Sequence, residues 1–475
     1  MKNLLKAILA TVLGLSLLAA ASAVTKPPLN KARNRAEYRS SLYYSESVGR
    51  MPKNSLDVVF IGSSQVYDSF TPMEMWREQG VAGYCCTSSG QQAVTSYYYL
   101  RSFLRRQTPR VVVVETMGLK KEAAADLRKK EYYNRSALDQ MPFSAEKIAL
   151  ARELWKGQEN GESFFSYLLP VLRFHSRWKE LTETDFSFRE SYDCTRGYDL
   201  TNSPFGYPLQ EEDFPFLTEE PTDALAEWDE DAAGWYRKMG ELCAQRGIRL
   251  LLIKTPCYNR TIEDRNMLRK LASECGAEAM DFNDEAWWER MGYDYKSDMY
   301  DRIHLNSEGA KKFSVFFAEM LRRDYGLPDH RGEESYAFWD RDLEIYDRQL
   351  DARSVAYAWT GTELRSLVLN GDYEMLVVGM ENAEPAFAEA LGIPPGAESM
   401  WVCRWDGTRA NTEYTEKTRG FFGPEEYEID DTGIYMHGEN YMVGDGGLYY
   451  VIRDRLLDKI IDYGTVDPED ALRRS

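Results

Sequence analysis

Between residues 55 and 330 the chain alternates short apolar runs with longer stretches whose apolar positions recur every three or four residues. Residues 56–61, 111–114 and 250–253 are almost wholly apolar. Strands buried on both faces of a parallel sheet require that pattern, whereas a half-exposed strand would alternate. Residues 278–282 read as a shorter strand. Helical spacing runs over 91–107, where Val94, Tyr98 and Leu104 share a side, over 229–246 up to Gly247, and over 262–275. It returns over 306–324, with Ala310, Phe313, Phe316, Phe317 and Leu321 in register. Strands alternating with helices predict an α/β domain with a parallel sheet. From about 119 to 221 the pattern lapses into an aromatic, charged stretch containing Trp155, Phe164, Phe165, Phe174 and Trp178. It reads as a mostly helical insertion over the strand ends, where such sheets bind ligands, and so as a lid or substrate wall.

Beyond Pro328 the chain is polar, and residues 331–354 read as a linker. From 355 to 475 short β-like runs take over, at 355–359, 374–378, 400–403, 434–436 and 448–452, separated by Gly and Asn/Asp clusters. One helix is expected at 385–391, opening on a proline. This half is expected to be a β-rich domain. At the other end, Lys2 and Lys6 precede an apolar run from Ile8 to Leu18 and then Ala21-Ser22-Ala23. Residues 1–23 therefore read as a signal peptide, with an uncleaved membrane anchor as the alternative. Residues 24–54, with Pro27-Pro28, read as a stalk.

A chain of 475 residues is too long for one compact core and suits two domains. The net charge of −19 disfavours binding of nucleic acid through the whole surface. The seven cysteines show neither metal-ligand spacing nor a disulfide framework, and Cys243 and Cys275 fall on core-facing helical positions. No metal or cofactor is expected.

The chemistry concentrates in three blocks. Only four histidines are present, so few groups can move a proton near neutral pH. One of them, His304, follows Asp301 in Asp301-Arg-Ile-His304-Leu-Asn306, before the last helix. The acid can fix the tautomer of the imidazole, unless Asp301 or Asn306 serves only as a helix cap. Gly62-Ser63-Ser64-Gln65 follows the first strand, where a serine can present its hydroxyl to the crevice, or simply form a turn or a helix cap. Ser88-Ser89-Gly90-Gln91-Gln92 precedes the second helix. The Gly90 N–H, with the N–H of Ser64, could stabilise an oxyanion, and Gln91 or Gln92 could add a donor; a capping box is the structural alternative.

These blocks in order resemble the SGNH (GDSL-like) hydrolase superfamily. Asp57-Val-Val-Phe-Ile-Gly-Ser-Ser64, Thr87-Ser-Ser-Gly-Gln-Gln92 with Tyr97-Tyr-Tyr-Leu100, and Pro109 to Thr116 look like its exported branch. That branch holds the D-alanyl-lipoteichoic-acid transfer proteins and the alginate-type O-acetyltransferases. Leu251-Leu-Ile-Lys-Thr-Pro256, Asp281-Phe-Asn283 and Asp298 to Asn306 continue the likeness, which spans about residues 55–325 apart from the insertion. The resemblance implies a three-layer domain at 55–330, with Ser64 as nucleophile and Asp301 and His304 completing a triad. Ser63 and Gln65 are then expected beside the substrate, and His175, in Phe174-His-Ser-Arg-Trp178, which is similar to a segment of related proteins, either contacts substrate or packs within the insertion. One departure stands out: the family's usual Asn after the second core strand is missing, and that strand ends Val114-Glu115-Thr116-Met117-Gly118.

Within 355–475, Tyr373 to Asn382 and Gly438 to Asp454 resemble the ILEI/PANDER (interleukin-like EMT inducer) domain, with a glycine-rich hairpin leading to a strand that ends in Asp. Trp359, Trp401 and Trp405 are candidates for stacking on sugars, or for filling a β core. Together the resemblances imply an exported esterase or O-acyltransferase acting on a cell-surface glycan or acylated polymer, with a membrane acyl donor as a possible partner. The rival expectation is a non-catalytic envelope scaffold or glycan-binding protein that retains the fold.

Overall fold

The computed structural model describes residues 2–25, 47–158, 161–181, 186, 194–200, 204–214, 219–258, 260–369, 372–380, 400–407, 409–444, 447–467 and 469–474. Its chain divides into two compact units, Met1–Asp342 and Leu343–Ser475.

The first unit is an α/β domain. Its sheet holds β1 (Val58–Gly62), β2 (Gly83–Thr87), β3 (Val111–Glu115), β4 (Arg249–Lys254) and β5 (Glu278–Asp281). The order is β2-β1-β3-β4-β5 and every pair is parallel. Every residue of β1, β2 and β3 is buried, which is why those strands read as unbroken apolar runs rather than alternations. The helices of eight residues or more are α1 (Lys2–Thr25), α2 (Pro72–Gln79), α3 (Ala93–Phe103), α4 (Lys121–Lys129), α5 (Glu131–Gln140), α6 (Ala145–Lys156), α7 (Glu230–Gln245), α8 (Ile262–Cys275) and α9 (Ser307–Tyr325). Helices α3, α7 and α8 pack side by side, as do α2 and α9. Phe60 of β1 stacks on Phe70 at 4.1 Å and meets the edge of Phe317 on α9 at 5.9 Å. Phe313 of α9 reaches Phe282 at 5.0 Å, so the helical stripe legible in the sequence is this core.

Strand β2 was not anticipated. The expected insertion is helical at α4, α5 and α6, and its far end returns to the strand ends: Tyr207 N–H donates to the Met299 carbonyl, and Gly206 lies against the carbonyl of Ser297. Helix α1 is joined to the insertion by hydrogen bonds from Val171 N–H to the Ser22 hydroxyl and from Arg177 to the Thr25 carbonyl. Among the described residues, no helix is long and apolar enough to cross a membrane. All seven cysteines are buried.

The second unit is mainly antiparallel β. A helix, α10 (Ala337–Tyr357), runs through residues expected as a linker and ends within 355–359, which had read as β. The alternation of Val355, Tyr357 and Trp359 imitates a strand, but Ala352 and Val355, three residues apart on α10, are both buried, as a helical face requires. Helix α11 (Gly361–Leu369) follows. One sheet is ordered β15 (Leu472–Arg473), β14 (Lys459–Val466), β13 (Leu448–Asp454), β6 (Tyr373–Gly379), β7 (Trp401–Trp405), β8 (Ala410–Tyr414). A smaller sheet holds β9 (Lys417–Phe422), β10 (Glu425–Asp430), β11 (Gly433–Met436) and β12 (Glu439–Asn440). On β6, Met375 and Val377 join a core with Leu364 and Val368 of α11, while Leu376 and Val378 join Ile429 and Ile434 of the smaller sheet. The helix expected at 385–391 lies outside the described residues.

One glycine tests the packing beneath the loop that carries His304. Gly309 lies in the first turn of α9, and a Cβ there would come 2.2 Å from the Asp298 carbonyl oxygen. Alanine normally favours a helix over glycine by about 1 kcal/mol. Here the clash reverses the sign, and Gly309→Ala is expected to destabilise by about 1–3 kcal/mol, read as a lower Tm in thermal melts.

Candidate active site

Strand order places the switch point of the sheet between β1 and β3, where the chain first winds one way and then the other. Open α/β sheets bind ligands at the carboxyl ends of the strands there. Three segments meet at that edge: the turn after β1, the end of β3, and the loop before α9.

The turn after β1 carries Ser63 and Ser64. Gly62 ends the strand, and a Cβ on it would meet Val66 at 2.6 Å and Glu115 at 3.0 Å, so only glycine lets β1 turn this tightly against β3. Ser64–Tyr67 forms one helical turn with Ser63 at its N-cap, yet the Ser63 side chain makes no capping bond. Its hydroxyl faces the Met117 sulfur at 3.6 Å, across from β3. The cap reading therefore does not account for Ser63. The Ser64 N–H opens the turn, a position that has no acceptor within a helix.

The loop before α9 is pinned at both ends. Asn306, fully buried, is the N-cap of α9: its Oδ1 accepts from Gly309 N–H at 2.9 Å, and its Nδ2 donates to the Ser297 carbonyl at 2.7 Å. Asp298 is held by Lys312. With capping assigned to Asn306, Asp301 is released for other work. Its Oδ1 accepts the N–H groups of Ile303 (2.8 Å) and His304 (2.9 Å), closing a tight loop. Its Oδ2 lies 2.9 Å from His304 Nδ1. His304 Nε2 lies 2.7 Å from Ser64 Oγ.

A carboxylate facing Nδ1 requires the ring proton there, which leaves Nε2 as the acceptor of the Ser64 hydroxyl. Burial pushes the Asp301 carboxyl up, but the hydrogen bond and charge of His304, with the two backbone N–H groups, outweigh it and hold the carboxyl below its usual range. The acid thus stays ionised wherever the imidazole is to accept a proton. The structure brings Ser64, His304 and Asp301 into one hydrogen-bonded chain. A nucleophile, a base and an orienting acid in that order can activate a hydroxyl for attack on an acyl carbon.

The other expected residues divide. Gly90 has φ +58, with Leu127 and Tyr133 close by, so glycine suits the bend before α3. Gln91 is buried, with Oε1 accepting from Ser88 and Nε2 donating to Ser96. Gln92 donates to Asn134 of α5 at 2.6 Å. These bonds commit both side-chain amides away from Ser64, leaving backbone N–H groups as the oxyanion donors to consider. The capping box proposed there does not form, since Gln92 is the N-cap of α3 and makes no side-chain cap bond. His175 is exposed, and its Nδ1 lies 3.3 Å from the Leu172 carbonyl of its own segment. No hydrogen bond among the described residues ties it to the triad.

Sequence reasoning missed Asp68, Tyr67 and Lys254. Asp68 stands four residues after Ser64, one helical turn on, with Oδ2 3.9 Å from His304 Nε2. Tyr67 shares a 2.9 Å hydrogen bond with Ser89, joining the first two blocks. Lys254 ends β4 beside Glu115, which ends β3. Opposite charges closing two apolar strands were the available signal. Among the described residues, no cluster of His, Cys, Asp or Glu could hold a metal ion.

No family model matches the chain. No curated protein matches it either. Among solved structures, a crystal structure from Bacteroides fragilis NCTC 9343 described as a "putative acylhydrolase" is similar at 14% identity, covering 64% of this chain and 100% of that one, with a TM-score of 0.28. A score that low carries no argument, and the functional reading rests on the site itself.

Proposed function

We propose that the chain is a serine esterase or O-acyltransferase of the SGNH type, exported and acting on O-acyl groups of a cell-surface glycan or envelope polymer. The observation that carries this reading is the unbroken line from Ser64 Oγ through His304 to Asp301, at 2.7 and 2.9 Å. Ser64 Oγ attacks the ester carbonyl while His304 Nε2 takes its proton. The C–O bond to the leaving alcohol breaks as His304 returns that proton, and an acyl-Ser64 remains. Water then gives hydrolysis, and a sugar hydroxyl gives transfer, by the same steps in reverse. The N–H groups of Ser64 and Gly90 stand for the oxyanion donors. Aromatic and cationic groups border the loop, with Arg302 lying over the Tyr258 ring at 5.0 Å, a surface suited to a saccharide.

The second unit is read as an ILEI-like domain with a glycan-binding role. Of its three candidate tryptophans, Trp401 is buried and Trp405 packs against the core, so any stacking falls to Trp359, which is 67% exposed. The Asp that ends β13, Asp454, is buried and ion-paired to Arg348 at 2.7 Å, a structural role.

A second reading, a non-catalytic envelope scaffold retaining the fold, is favoured by one observation. The strand end where the resemblance calls for an Asn carries Glu115, already engaged by Lys254. A fluorophosphonate probe separates the two readings. The wild-type protein is expected to label and Ser64→Ala to lose all labelling. Wild-type protein that neither labels nor hydrolyses aryl acetates sinks the enzyme reading and leaves the scaffold.

A further inference from the structure

A buried polar chain lies directly behind the triad. Glu115, Lys254 and Gln65 are 3%, 5% and 1% exposed. Lys254 Nζ donates to Glu115 Oε1 at 2.7 Å and also to Gln65 Oε1. Gln65 Nε2 donates to the Ile303 carbonyl at 3.1 Å. The Ile303 N–H in turn donates to Asp301. These bonds link the end of β3, the end of β4, the residue after Ser64 and the residue before His304.

We infer that Glu115, Lys254 and Gln65 are positioning residues, a strut that sets the spacing between the Ser64 turn and the His304 loop. The inference rests on the reading of Ser64 as nucleophile.

An ammonium only donates, so Gln65 has to turn its oxygen toward Lys254. That fixes which way the amide faces and aims its N–H₂ at Ile303. Without Lys254 the amide could flip and lose the bond that ties the two halves of the site together. Packing alone does not call for the ion pair, because an apolar pair of similar volume often serves a core as well or better. What an apolar pair cannot supply is the directed donor on Gln65.

The same argument explains the departure at Glu115. Lys254 is deeply buried and needs a counter-charge, which an Asn at that strand end does not carry. Installing the family's residue, Glu115→Asn, is therefore expected to lower activity rather than raise it.

The test uses the full chain with an aryl acetate as substrate. Gln65→Met keeps the length of the side chain and removes both hydrogen bonds. A misplacement of about 1 Å costs on the order of 100-fold in rate, so kcat is expected to fall about 10- to 100-fold with KM within about twofold of wild type. A second readout is independent of turnover: the downfield proton resonance of His304 Nδ1–H, assigned by its loss in His304→Ala. It should shift or broaden in Gln65→Met if the imidazole is no longer held.

A folded Gln65→Met protein with wild-type kcat and an unmoved resonance overturns the strut while leaving the Ser64 reading in place. A rise in KM with kcat and the resonance unchanged also overturns it, by assigning Gln65 to substrate contact. If wild-type protein is inert toward esters, the Ser64 reading fails on that result, and the resonance alone decides the strut. If Gln65→Met does not fold, the paired Glu115→Gln/Lys254→Met variant, which removes both buried charges together, is judged by the same two readouts.

Discussion

Replacing His304 with alanine is expected to reduce aryl-ester turnover by about 10⁶-fold, the scale seen when a triad base is deleted and the nucleophile loses its proton acceptor. Ser64 Oγ has its 2.7 Å partner in Nε2 of this ring. Asp68 stands 3.9 Å from the same nitrogen, beyond hydrogen-bond range of the ring. The backbone of the loop does not depend on the ring, because Asn306 and Asp298 hold it by their own bonds. His304→Ala should therefore melt close to wild type while losing activity. Stopped-flow or steady-state hydrolysis beside thermal melting checks both. Retention of more than a hundredth of the wild-type rate would rule out His304 as the base.

Asp301→Asn is expected to cost about 10⁴-fold, for a reason the geometry makes specific. In the carboxylate, Oδ1 accepts from the N–H groups of Ile303 and His304, and both oxygens face Nδ1, Oδ2 at 2.9 Å and Oδ1 at 3.0 Å. An asparagine has to leave its oxygen on the two N–H groups, which turns its N–H₂ toward Nδ1. The imidazole then carries its proton on Nε2, and the nitrogen facing Ser64 becomes a donor. The loop stays closed while the tautomer is wrong, so kcat should fall with little change in Tm. Because hydrogen bonds hold the Asp301 carboxyl below its usual range, wild-type activity should not be limited by this group until well into acid. The stability it contributes follows the same sign: present above the ordinary carboxylate pKa, and lost only as pH drops through the lowered one. A pH–rate profile of the wild type, set beside thermal melts in acid, measures both limits.

The strands of the first unit were legible because burial on both faces leaves no polar positions to blur the run. Strand β2 was not, since Gly83-Tyr-Cys-Cys-Thr87 is short and mixed, and only its place at the sheet edge beside β1 makes it a strand. Asp301 and His304 could be paired from sequence because one loop holds both. Ser64 lies 240 residues from His304, and no periodicity links them; only the order of motifs suggested the meeting. Gln91 and Gln92 were misdirected as side-chain donors because their direction is set by Ser96 and by Asn134 of the insertion, which local spacing does not reveal. Residues 355–359 looked like a strand because an alternating aromatic pattern is ambiguous over five residues, and the buried face of a longer helix prevailed.

The 240-residue span between Ser64 and His304 bears on how the molecule reaches its working state. Closing so long a loop is expected late, after the local helices have formed. Under the proposed function, a nascent chain halted short of residue 304 would carry Ser64 without His304, and so emerge inert. Return of ester cleavage during refolding should then lag behind the return of helical signal, and the lag would time the final docking of the last helix onto the sheet.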